Sequence, residues 1–100
     1  MNLDHLAKII SNSYHFQVLA CSKLTEQSYR LETNVGPKRL SVWYDQALVT
    51  WAFAWREQLA CLGYRQIDRF IRHQQGGYYV EREGVYLVVQ DLFLGEVFTP

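Results

Sequence analysis

The chain has no charge surplus of either sign: ten Lys and Arg side chains stand against ten Asp and Glu. A neutral domain lacks the global field that gathers polyanions, so nucleic acid is not expected as a partner. Metal ligands are few and badly spaced. His5, His15 and His73 are scattered, and Cys21 and Cys61 form no CxxC pair, so no zinc site is expected. The two thiols are expected reduced and packed in a core, as suits an intracellular protein, with a disulfide between them as the alternative. No apolar run reaches the roughly 20 residues that cross a bilayer. The N-terminus lacks a secretory signal profile. The expected location is therefore the cytoplasm, with no membrane partner.

Apolar residues are plentiful. They make up 49% of the chain, and Trp43, Trp51 and Trp55 cluster near its middle. One hundred residues of this composition suit a single domain, 1–100, that buries enough surface to offset its ordering entropy. Between Arg56 and Arg72, four arginines face Glu57 and Asp68, and this run reads as a solvated face.

Hydrophobic spacing predicts the order of elements. Asn2 caps a first helix with Leu3, Leu6, Ala7 and Ile10 on one side, ending near Asn12-Ser13. Phe16, Val18 and Ala20 alternate in a strand that runs to Leu24, and Thr25-Glu26-Gln27 turn the chain into a second strand, Ser28 to Thr33. The Asn34-Val35-Gly36-Pro37 turn leads to a third strand, Lys38 to Tyr44, in which Leu40 and Val42 alternate with Arg39 and Ser41. Asp45 caps the longest helix, whose stripe Leu48, Trp51, Ala52, Trp55, Leu59 and Leu62 is expected to pack on the sheet before Gly63 ends it. A short strand around Ile67, Phe70 and Ile71 follows, then a hairpin turn at Gln75-Gly76-Gly77. Tyr78 to Glu81 and Val85 to Leu94 flank a turn at Glu83-Gly84, and the latter run is apolar enough to be covered on both faces. The class is α+β: an N-terminal helix and an antiparallel sheet of about five strands with one long helix packed on it.

From Tyr14 to Glu96 the pieces of this chain resemble the small lobe of a kinase-like protein. They are Tyr29-Arg30-Leu31-Glu32-Thr33, Gly36 and Leu40 before the helix, Leu59 to Tyr64, Arg69-Phe70-Ile71, Gly77 to Glu81, and Val85 to Glu96. Their order is similar to that of the spore-coat (CotS-type) kinase-like family, related to the aminoglycoside phosphotransferases. The resemblance implies a nucleotide site. A loop carrying Ser22, Lys23 and Thr25 would cover the phosphates, Ser41 would stand at the phosphate-holding lysine, and Gln90, Asp91 and Phe93 would form the hinge beside adenine. It implies ATP and magnesium for a full-length parent, and neither for the isolated chain. The match departs from the family at decisive points: the loop has no glycine, Ser41 brings no charge, and Glu57 lies late on its helix. No catalytic or metal-ligating residue is assigned. Lys38 and Arg39 read as solvated strand-end charges, and Glu57 as surface.

These observations lead to the small lobe of a longer, spore-coat-associated kinase-like protein, inactive by itself, whose partner is the missing C-terminal lobe. The alternative is a stand-alone interaction module with a protein partner or a homo-oligomeric state. A nucleic-acid surface on the arginines is a third, weaker fit.

Overall fold

A computed structural model of the chain describes residues 2–63 and 69–92. In chain order the elements are α1 (Leu3–Ser13), β1 (Val18–Thr25), β2 (Ser28–Thr33), β3 (Gly36–Trp43), α2 (Gln46–Cys61), β4 (Val80–Arg82) and β5 (Val85–Asp91). The strands form one antiparallel sheet in the order β1-β2-β3-β5-β4. The α+β architecture follows the pattern of the sequence.

Local chemistry sets the ends of the elements. Asn2 is extended, and its Oδ1 accepts the His5 N–H at 2.7 Å, which satisfies one of the open donors of α1. Asp45 does the same for α2, accepting from Ala47 and Leu48. The β4–β5 turn has positive φ at Glu83 (53°) and Gly84 (82°), the mirror-image turn whose twist matches that of the flanking strands.

Strand pairing divides the side chains between two cores. Leu40 faces Val89 and Val42 faces Leu87 across β3–β5, while the residues between them, Ser41, Val88, Trp43 and Tyr86, point to the other side. On one side α1 lays Leu6, Ile9 and Ile10 against Leu31, Leu40, Leu87 and Val89, with Tyr14 and Phe16 closing the end. On the other, Val49, Ala52 and Phe53 of α2 meet Val88, Phe70 and Tyr78. The result is a helix–sheet–helix arrangement. Each fully buried Leu, Ile or Val contributes roughly 1.5–3 kcal/mol of transfer free energy.

Several expected details differ. α1 buries Ile9, while Leu3 is exposed, so its inner stripe is Leu6, Ile9 and Ile10. β1 begins at Val18, and a register shift between Val18 and Ala20 breaks the alternation. This bulge turns Cys21 rather than Ala20 toward α1. β3 gains Gly36 and ends at Trp43, before Tyr44. Near Phe70 there is a single bridge to Gln90 and a bond from Ile71 N–H to the Val89 carbonyl (2.8 Å), in place of a strand; Ile67 lies outside the described residues. The Gln75-Gly76-Gly77 turn forms without flanking strands: His73 and Gly77 are bonded across it, N–H to carbonyl at 2.9 Å. β4 is only three residues long; before it, the rings of Tyr78 and Tyr79 pack against Phe53 and Tyr86. β5 is described to Asp91, and the expected continuation through Phe93 and Leu94 lies outside the described residues.

Tyr14 exposes a cost inside the first core. Its ring stacks on Phe16 with centroids 5.5 Å apart, yet its hydroxyl is buried and unpartnered among the described residues. Burial pushes the phenol well above its ordinary pKa. An unpaired buried hydroxyl costs about 1–3 kcal/mol. Tyr14→Phe, which keeps the ring, is therefore expected to stabilise the protein by about 1 kcal/mol in urea denaturation. A loss of that size would mean the hydroxyl is bonded after all.

Candidate functional site

The positions assigned by resemblance do not form one site. Ser22, Lys23 and Thr25 are part of strand β1, and the β1–β2 connection is only the turn at Glu26-Gln27. Nothing longer is left there to fold over a ligand. Lys23 is exposed, and its ammonium is bonded to both carboxylate oxygens of Glu26 at 3.3 Å. Thr25 Oγ1 sits 2.7 Å from Ser28 Oγ and also accepts the Gln27 N–H at 3.2 Å, so this hydroxyl fastens the turn.

Thr25 and Ser41 do meet. They line a hollow of about 390 Å³ between the β1–β2 turn, β3 and the start of α2, together with Ser28, Arg39, Trp43 and Leu48. Pairing explains the grouping: Ser28 lies opposite Ser41, and Arg39, two residues before Ser41, shares its face. Arg39 is exposed, as expected for a strand-end charge. Lys38 is not. Its side chain is only 12% exposed, on the opposite face, with its ammonium 2.6 Å from the Asp91 carboxylate. Asp91 therefore closes an ion pair at the end of β5. Gln90 is buried beside it, opposite Arg39 and bridged to Phe70. Phe93 lies outside the described residues.

Charges around Phe70 are used within the fold. Glu57, expected on the surface, accepts two bonds from Arg69, at 2.8 Å from Nε and 2.5 Å from Nη2. This fork pins the segment around Phe70 to α2. Glu57 is nine residues beyond Leu48, about 13 Å along a helix axis, so it does not reach the hollow at Ser41. Of the arginine run expected as a solvated face, Arg65 and its neighbour Asp68 lie outside the described residues, Arg69 is 56% exposed, and Arg56 and Arg72 pack on rings. Arg56 lies over the rings of Trp55 (4.7 Å) and Phe70 (5.1 Å), and Arg72 over Phe53 (5.1 Å) while donating to the Gly76 carbonyl at 2.7 Å.

The feature that sequence reasoning placed wrongly is α2. Half of its expected inward stripe is turned outward: Trp51 is 65% exposed, Leu48 54% and Leu62 69%, while Ala52 is buried and Trp55 and Leu59 are half-buried. Trp51 and Trp55 lie one turn apart with their rings tilted by 57° and centroids 6.1 Å apart. Ala54, Gln58 and Cys61 are also exposed, so Cys61 is not the core thiol that was expected. Cys21 is half-buried, and burial, with Asp4 nearby, raises its pKa. The helix carries two charged residues, Arg56 and Glu57, and both turn toward the Phe70 segment. Its outer face is free of charge. A signal was present in the sequence: apolar residues surround this helix on all sides, the mark of a helix that is covered all round.

Compared with protein-family models, curated proteins and solved structures, the chain matches none. Among the described residues no helix is long and apolar enough to cross a membrane.

The Glu57–Arg69 fork has a definite pH signature. The Arg69 hydrogen bonds hold the Glu57 carboxyl below its ordinary pKa. Its stabilisation is thus complete above the usual carboxylate range, near pH 4.3, and is lost as pH falls through the lowered value. Glu57→Gln is expected to lower Tm at neutral pH, with the gap to the unmodified protein closing below about pH 4. A gap that stays constant across the acid range would show that the ion pair does not contribute.

Proposed function

We propose that this chain is a kinase-like small lobe without phosphotransfer activity, and that it works as a protein-binding module through the outer face of α2. The observation that carries the reading is that face: an exposed row of Leu48, Trp51 and Leu62 on a helix whose only charges turn inward. Contiguous apolar surface of this kind marks a contact site, and aromatic side chains supply most of the energy at such contacts.

The hollow at Ser41 supports the loss of catalysis. ATP and magnesium would need a fixed cation on the phosphates, backbone donors from a covering loop and carboxylates for the metal. Here the position offers a hydroxyl, the connection is a two-residue turn, and the glutamate of α2 is held by Arg69. The donor set does not fit, so no phosphoryl-transfer step is derived. The kinase-like ancestry rests on the order of elements and the sequence pieces that resemble the spore-coat family. On this reading the module works in the cytoplasm in association with the spore coat, and what covers α2 is a large lobe or another protein.

Two measurements test the proposal. The purified chain is expected to show no metal-dependent ATP turnover, and turnover would overturn the non-catalytic half. A photo-crosslinking residue in place of Trp51 is expected to give one discrete protein adduct in cells, abolished by Leu48→Glu. Absence of any adduct would sink the docking half.

A further inference from the structure

We infer that the occupant of the α2 face is a second copy of this chain, packed antiparallel about a two-fold axis that passes between Ala54 and Trp55. This deepens the docking proposal and rests on it. The argument begins with spacing. Outward residues recur at intervals of three and four along α2, the average of 3.5 that lets two helices stay in register at a crossing of about 20°.

The sizes then match under reversal. An axis between Ala54 and Trp55 sets Leu48 opposite Cys61, Trp51 opposite Gln58, and Ala54 opposite Trp55 of the other copy. Ala47 meets Leu62 in the same way. Each pair joins a larger side chain to a smaller one, so knobs face holes along the whole seam. Every position that the axis brings together is already outward or half-exposed.

Charge points to the same occupant. A two-fold contact brings each surface against itself, so any charge near the axis meets its own sign. None of the paired positions carries a charge, and the nearest cation, Arg56, is engaged by the Trp55 and Phe70 rings and the Ala52 carbonyl, which lessens the usual obstacle to self-pairing. Area is sufficient as well. Leu48, Trp51 and Leu62 are each more than half exposed, and with the exposed Ala47, Ala54, Gln58 and Cys61 one copy offers on the order of 500 Å². Two copies cover roughly 1,000 Å², the lower bound for a specific interface, which fits a concentration-dependent dimer.

Sedimentation velocity on the full chain, from low micromolar to submillimolar concentration, tests the pairing. The expected result is a shift from the 11.8 kDa monomer to twice that mass. Trp51→Glu should weaken the dimer by roughly tenfold or more, with helix content and the Tm of the dilute monomer unchanged because the residue is exposed. Register is read by cysteine crosslinking. Leu48→Cys should give an oxidised covalent dimer through Cys61 of the second copy, and adding Cys61→Ser should abolish it. A crosslink that survives Cys61→Ser would mean parallel pairing and overturn the geometry, and a dimer unaffected by Trp51→Glu would place the contact elsewhere. A monomer at all concentrations that still crosslinks from position 51 to a different protein would refute the second copy and leave the docking face standing. A monomer with no adduct would refute both.

Discussion

The constraint on which the structure depends is that β5 must be covered on both faces. Leu87 and Val89 enter the core beneath α1, Val88 enters the core beneath α2, and all three are fully buried. A strand with this composition is stable only inside layers, because leaving either face wet would expose large aliphatic side chains. β3 and β4 occupy its two edges, the bridge between Phe70 and Gln90 adds to its far end, and the two helices supply its covers. Each of these elements is placed by what β5 needs.

That dependence also explains how α2 is oriented. Phe70, Tyr78, Tyr79 and Tyr86 already fill the space over β5, with the ring of Tyr78 stacked on Phe53 at 3.8 Å. Close packing then leaves room on the helix side for Val49 and Ala52 but not for two indoles. Trp51 goes outward and Trp55 is only half-buried, because the chain supplies its aromatic volume from the segment after α2. Charge follows the same logic. Arg56 and Arg72 cover ring faces of this cluster, and the Glu57–Arg69 fork holds its lid of chain in place.

What could be read in the sequence was whatever short-range chemistry decides. Asn2 and Asp45 cap their helices, Ser28 to Thr33 is a strand with the expected bounds, and Gly63 and Gly84 hold positive φ where the chain turns. The unbroken apolar run from Val85 already implied a strand buried on both faces. What escaped was decided by partners distant in the chain. Spacing of three and four fits Val49, Ala52 and Phe53 as well as it fits Leu48, Trp51 and Trp55, so periodicity offered two faces for α2 and residue size favoured the wrong one. The bonds from Lys38 to Asp91 and from Arg69 to Glu57 join residues 53 and 12 positions apart; Lys38, Arg69 and Glu57 read as solvated charge in the sequence, and Asp91 as part of a hinge. Thr25 and Ser41 were brought together as their strand positions allowed, while Ser22 and Lys23 were not, because β1 runs on to Thr25 and consumes the loop they were meant to form.

These facts bear on function through one comparison of the two surfaces of the sheet-and-helix layer. The hollow at Ser41 holds hydroxyls tied to a turn and one exposed arginine, so it lacks the converging charge that phosphate chemistry demands. The outer face of α2 has the opposite character: large, rigid side chains left uncovered by a fold that had room to place charge there and did not. Exposed indole and leucine surface brings no benefit to a helix in water, since its stability comes from the face it buries. A sequence that keeps Leu48, Trp51, Ala54 and Leu62 outward, and confines Arg56 and Glu57 to the inner edge, is consistent with the helix being covered again when the protein works. On the proposed reading the contact is made by this face, and recognition there would rest on shape rather than on charge.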